Sequence, residues 1–444
     1  MLYKFHTNIL IVTLLAYGLI SVLIYQRVFC VMTIGFLVAF VTQMALLIFF
    51  AQEKERELSP KLLFWTVLVY TLFLGSFLML ISYYYDGDTF MFCKFDAMFY
   101  YSYSMKFAEL GLVQGLNFVV HTFEYDDWGA IVFDGLMMSI VPDKLFLNAV
   151  HLILGATTSV YLYKIGRYYM PDIYAFLAAL GFGTSSYIVF FHCSFLKESV
   201  FVFMVVATLY YLFLFITNQS RSAWLPILLL LIAQLFYRPA VTAMLLVSAM
   251  VYYAITQRKN AISIFLYAAA AVVFAASLGD LQQIMDSNTQ GGNVEALVAE
   301  TNNSSYSYSF NYFVSLFGAI FGPFPSSFPK NPEAPTWVVF YGAGLSYRMF
   351  LVFAFWTGIY MIFKKKLIEL YPIVMFVLFE LVATGLVCAS LELRKVILHI
   401  PFIYLIAFYG LWTQSEKDNS MSYTVWIKYG FIIAVFYLWN VVKV

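Results

Sequence analysis

The chain has 444 residues, of which 63% are apolar, 20% aromatic and only 11% charged, with a formal net charge of +1. So few charges cannot cover a water-soluble protein of this length, whereas a surface facing hydrocarbon needs none. Near-neutrality excludes the basic footprint of a nucleic-acid binder. Four scattered cysteines (Cys30, Cys93, Cys193, Cys388) give neither a disulfide framework nor zinc spacing.

Taken in chain order, apolar runs of the length that crosses a bilayer, about 20 residues, predict spans near 9–25, 28–50 and 62–83. A long segment, 84–144, separates these from spans near 145–163, 173–191, 199–217, 224–237, 240–255 and 261–278. A second long segment, 279–348, precedes spans near 349–363, 367–390, 396–412 and 425–442. The predicted fold is therefore all-α and polytopic, with about thirteen spans and interfacial helices in two long extracytoplasmic loops. Run 224–237 is short for a span, and Arg238-Pro239 breaks it from the next helix. No small-residue cleavage site follows the first span, which reads as a retained helix. Three parts are expected: two N-terminal helices (1–61), a membrane core (62–412) and a C-terminal helix (413–444).

Orientation follows from the basic residues. With the N-terminus cytoplasmic, inner loops hold Lys54, Arg56, Lys61, Lys164, Arg167, Lys364, Lys365 and Lys366, among others. Most acids then fall outside, and both long segments do too. Residues 310–321 (FNYFVSLFGAIF) read as an interfacial helix stopped by Gly322-Pro323-Phe324-Pro325. The high aromatic content suits membrane interfaces, and such rings also stack on sugars.

The first outer segment carries the candidate chemistry. Asp86-Gly87-Asp88 is followed by Asp96, which at helical spacing shares a face with Tyr100, Tyr103 and Phe107. A positioned carboxylate there suits a general base for an acceptor hydroxyl; Asp is equally a favoured helix N-cap. Asp86-Gly87-Asp88 resembles the acidic motif that holds a metal on nucleotide sugars, but it faces away from the cytoplasmic nucleotide pool. Glu124, Asp126, Asp127 and Asp134, around Trp128, read as a solvated acidic turn. Lys197-Glu198 opens an apolar helix, either as a dipole-favoured start with a snorkelling lysine or as an ion pair lining a cleft.

Cations at outer helix ends run against the positive-inside bias, and Arg238, Arg348, Arg394 and Lys395 are read there. Together they suit a phosphate at the bilayer surface, since guanidinium groups bind phosphate bidentately; singly, each suits a membrane anchor. His121, His151, His192 and His399 are also read as outer, but no pair has zinc-ligand spacing. No metal site follows; a divalent cation is left open as a cofactor. Glu380 falls mid-span, where an acid is costly and marks function or an interhelical hydrogen bond.

The order of these pieces resembles the GT-C superfamily of membrane glycosyltransferases. The matching text is Asp96-Ala97-x-x-Tyr100 with Gly111 downstream, Leu147-Asn148-Ala149-Val150 through Tyr163-Lys164-Ile165, and Leu196-Lys197-Glu198. Tyr237-Arg238-Pro239 follows, then Arg394 through Pro401 into Ala407-Phe408-Tyr409-Gly410. The family often shows a second acid beside the loop Asp, whereas Asp96 precedes Ala97. The resemblance implies transfer of a sugar from a polyprenyl-phosphate-linked donor on the outer face of a bacterial inner membrane. It implies Asp96 or Asp88 as base, with Asp86 as a further acid, and Arg238, Arg394 and Lys395 on the phosphate. Arg348, Lys197, Glu198 and His399 complete the candidate binding set. The expected partners are membrane lipid, the lipid-linked donor and a glycan or lipid acceptor in cell-surface polysaccharide synthesis. Two alternatives stay open: a surface-polysaccharide polymerase or ligase, and a transporter or flippase. No internal repeat supports transport.

Overall fold

The computed structural model describes residues 2–20, 31–52, 57–90, 94–256, 338–387, 397–416, 428–432 and 434–435. The predicted span 261–278, interfacial helix 310–321, and Arg394 and Lys395 lie outside the described residues. Among the described residues the protein is 89% helix and has no strand. Among the same residues, five helices are long and apolar enough to cross a membrane, or six when a bent pair counts as one.

The helices are α1 (Leu2–Ile20), α2 (Val31–Gln52), α3 (Pro60–Asp86), α4 (Lys94–Thr122), α5 (Tyr125–Ile140), α6 (Lys144–Tyr169), α7 (Asp172–Gly183) and α8 (Ser186–Cys193). They continue as α9 (Glu198–Ile216), α10 (Trp224–Leu235), α11 (Pro239–Thr256), α12 (Val338–Lys364), α13 (Tyr371–Val387) and α14 (Ile400–Ser415). Capping chemistry sets several ends. Ser59 accepts from the Leu62 N–H before Pro60 opens α3, and Gly87, at φ 70°, closes it with a bond to the Tyr83 carbonyl. Asp143 caps α6 by accepting from the Leu145 and Phe146 N–H groups at 2.7 and 3.1 Å.

Three elements depart from the expected outline. The apolar run 173–191 is not one straight span: α7 and α8 meet at a 48° bend at Thr184-Ser185. Gly111 breaks α4 at φ 75°, ψ 172°, a conformation open essentially only to glycine. The two halves fold back on each other, so Phe99 meets Phe123 at 5.6 Å and Phe107 packs against Gly115. Arg348 is not at a helix end. It lies within α12, sixteen residues before Lys364 or about 24 Å along the axis, and is buried.

α12 and α14 pack at the heart of the bundle, with α7 against α14 and α6 against α3, α7 and α9. Small residues permit this closeness: a methyl on Gly358 would run into the Ile406 carbonyl, and one on Gly410 into that of Ala354. One end of the bundle gathers the turn after α3, helices α4 and α5, and the α8–α9 and α10–α11 turns. There Gly129 donates to the Phe236 carbonyl at 2.9 Å, and Phe90 meets Phe195 at 5.9 Å. The opposite end joins Tyr163 to the Leu58 carbonyl, Arg167 to Asp172 and Tyr174 to Ser415, each at 2.9 Å.

Candidate active site

The α4–α5 end carries a chain of charged contacts built by five elements. Asp127, in the first turn of α5, receives two donors on the same oxygen. The Tyr100 hydroxyl reaches its Oδ1 at 2.6 Å and Lys197 Nζ reaches it at 2.7 Å. Burial, followed by the adjacent Asp127 charge, holds the Tyr100 phenol well above its ordinary range, so it stays protonated and donates. Asp96, one turn earlier on α4, acts on the same hydroxyl. The next residue along from Lys197, Glu198, is 4% exposed at its side chain and takes Arg238 Nη2 on Oε1 at 2.7 Å. The Arg238 charge also acts on buried Glu380 of α13.

The turn that presents Lys197 and Glu198 is strained. Phe195 has φ 56°, a left-handed conformation costly for a bulky side chain. Its ring is held against Phe90 and Tyr101, with Lys144 Nζ 5.2 Å from its centroid and 3.3 Å from that of Phe90. This aromatic clamp fixes the strained turn, and with it the aim of two opposite charges.

Asp96 sits inside the first turn of α4 rather than at its cap, and Asp86 is the last residue of α3. Asp88 accepts from the Phe90 N–H at 2.8 Å, forming an Asx-type turn, and it faces the charge of Lys144. The solvated-turn reading of the α5 acids needs correction. Asp127 is engaged as described, and Asp134, one face and seven residues on, is buried against His151 Nε2 at 2.9 Å. Their spacing was a visible signal that they share a helix face; what that face meets lies far away in sequence. His151, His192 and His399 are buried rather than outer-surface groups, while His121 is exposed.

Arg348 differs from the other cations. It is 2% exposed and, among the described residues, its Nε and Nη1 have no hydrogen-bond partner. Both ring nitrogens of neighbouring His399 also lack one, and the Tyr187 and Tyr404 rings stand within range of the Arg348 charge. Tyr187 feels Glu198 as well, which relates this buried group of donors to the charged contacts around Lys197. A guanidinium inside a helical bundle with open donors is poised for an anion. Among the described residues, no group of three His, Cys, Asp or Glu side chains converges for a metal.

Residues 134–279 match the family model described as dolichyl-phosphate-mannose-protein mannosyltransferase. That is a GT-C type family. The GT-C match runs from Asp134 of α5 through α11 and so includes His151, Lys197, Glu198 and Arg238. Asp96, Asp127, Arg348 and His399 lie outside the matched stretch. With its apolar helices, the GT-C match implies a multi-pass membrane glycosyltransferase that uses a polyprenyl-phosphate sugar. No curated protein and no solved structure matches the chain.

Proposed function

We propose that this protein transfers a sugar from a polyprenyl-phosphate-linked donor to a glycan or lipid acceptor on the outer face of a bacterial inner membrane, in cell-surface polysaccharide synthesis. The observation that carries this reading is Arg348, a buried guanidinium with two open donors beside the open nitrogens of His399. Lys197 and Arg238 are already paired with Asp127 and Glu198, so among the described candidate cations Arg348 keeps donors open for a phosphate. It takes the donor phosphate, with His399 beside it; Arg394 and Lys395, outside the described residues, stay proposed as further cations for the phosphate.

In the reaction the acceptor oxygen attacks the anomeric carbon and the bond from that carbon to the phosphate oxygen breaks. The electron pair leaves on the lipid phosphate, whose growing charge Arg348 stabilises. The acceptor proton goes to a carboxylate of the first outer segment: Asp96, with Asp88 and Asp86 as the further candidates. The test is reconstitution in proteoliposomes with a panel of radiolabelled polyprenyl-phosphate hexoses. Protein-dependent release of polyprenyl phosphate is expected; no turnover of any donor would sink the reading.

A further inference from the structure

The Asp127 carboxylate is anchored through one oxygen only. Tyr100 and Lys197 both donate to Oδ1, and no hydrogen bond reaches Oδ2 among the described residues. The side chain as a whole is 28% exposed, which leaves the carboxylate within reach of a ligand at the charged end. The anchoring is stiff. Trp128, the next residue, donates to the Phe123 carbonyl at 2.9 Å and stacks on Phe236 at 6.0 Å, while Gly129 bonds the Phe236 carbonyl. A carboxylate held on one side and open on the other is an acceptor aimed outward.

The chemistry of that open oxygen selects its ligand. It can only accept, so its partner must donate a hydrogen bond. A phosphate or carboxylate would be repelled by the Asp127 charge itself. A cationic group would meet Lys197, whose ammonium is 2.7 Å from the neighbouring oxygen. A neutral hydroxyl meets neither objection. We infer that Asp127 Oδ2 is the acceptor subsite of this protein and binds a hydroxyl of a polyhydroxylated, sugar-like acceptor. This deepens the glycosyltransferase reading and rests on it. It assigns the two substrates to different groups: the donor phosphate to Arg348 and His399, and an acceptor hydroxyl to Asp127, whose Tyr100 anchor also feels the charge of Asp96. Lys197 and Tyr100 are positioning residues here; they hold Asp127 and leave its second oxygen free.

The test is a partition experiment in proteoliposomes, with a polyprenyl-phosphate hexose that the wild-type protein turns over. Methyl α-mannoside is the polyol probe, and transfer to it is compared with transfer to water. Asp127→Asn preserves Oδ1 for both anchors but puts an amide donor in place of Oδ2. The expected result is a fall of about tenfold or more in the ratio of mannoside product to hydrolysis, with donor KM unchanged. An unchanged ratio, or a wild-type protein that gives hydrolysis alone, overturns the inference while leaving the donor chemistry standing. Should Asp127→Asn not yield folded protein, Tyr100→Phe keeps the carboxylate but loosens it. That variant should lower the same ratio several-fold and leave donor KM alone; no change in its ratio is equally decisive against the proposal. No donor turnover by wild type would instead be failure of the parent reading.

Discussion

Lys197 and Glu198 are adjacent in sequence yet tied to different helices: Lys197 bonds Asp127 of α5, and Glu198 bonds Arg238 at the start of α11. One strained turn therefore fixes two elements at once. Removing either partner of a largely buried pair strands a charge, which is worse than losing both.

Arg238→Ala should accordingly lower stability by about 2–3 kcal/mol, because Glu198 remains buried without its partner. The double variant Arg238→Ala with Glu198→Ala should recover more than half of that loss. Thermal unfolding in detergent reads both. Additive losses would show that the two side chains are not coupled.

Arg348→Ala should raise donor KM by about tenfold or more, the loss expected for hydrogen bonds between charged groups. Arg348→Lys should recover part of it, since lysine keeps the charge but loses the planar fork. Donor titration in proteoliposomes measures this. A normal donor KM in the alanine variant would reduce Arg348 to a structural group.

Asp96→Asn should slow transfer by about 10²–10⁴-fold if Asp96 holds the acceptor proton, without loss of folding. Asp88→Asn should matter less, because its Oδ1 already serves the Phe90 amide. Normal rates in the Asp96 variant would move the base to Asp88 or Asp86.

Gly111→Ala places a side chain in a conformation essentially reserved for glycine, at a cost of about 1–3 kcal/mol. Apart from its own chain neighbours, no described heavy atom lies within 4 Å of the added methyl, so backbone strain is what is being tested. A lower melting temperature is expected, with faster proteolysis at the elbow of α4. An unchanged melting temperature would mean that the elbow relaxes freely.

Orientation has its own test. A cysteine at exposed Glu124, in protein without native cysteines, should react with an impermeant maleimide in intact spheroplasts. Protection there would invert the assignment of the charged end to the outside.

What could be read in advance divides along physical lines. Hydropathy revealed the apolar helices because a bilayer constrains length and composition locally: the runs 62–83 and 145–163 lie within α3 and α6. The pairing Tyr237-Arg238-Pro239 announced the break between α10 and α11. The α7–α8 bend was hidden because Gly183-Thr184-Ser185-Ser186 interrupts the run without lowering its hydropathy enough to split it. Asp127 and Asp134 looked like surface acids because their partners, Lys197 and His151, are supplied by other helices. The apolar run alone places Arg348 at a helix end, because it begins after that residue, whereas the helix continues around it and buries its charge.

The close approach of α12 and α14 at Gly358 and Gly410 bears on Arg348 and His399, which those two helices carry toward each other. Sliding one helix past its neighbour by a turn moves a side chain about 5.4 Å, enough to separate an arginine from a histidine that share one anion. Backbone pressed against backbone leaves no room for such a slip, since the next residues along either helix bring a Cβ into the gap. The contact works as a ruler. It holds the spacing of the two anion donors from several turns away, so a bulkier residue at Gly358 or Gly410 would alter the donor pocket without touching it.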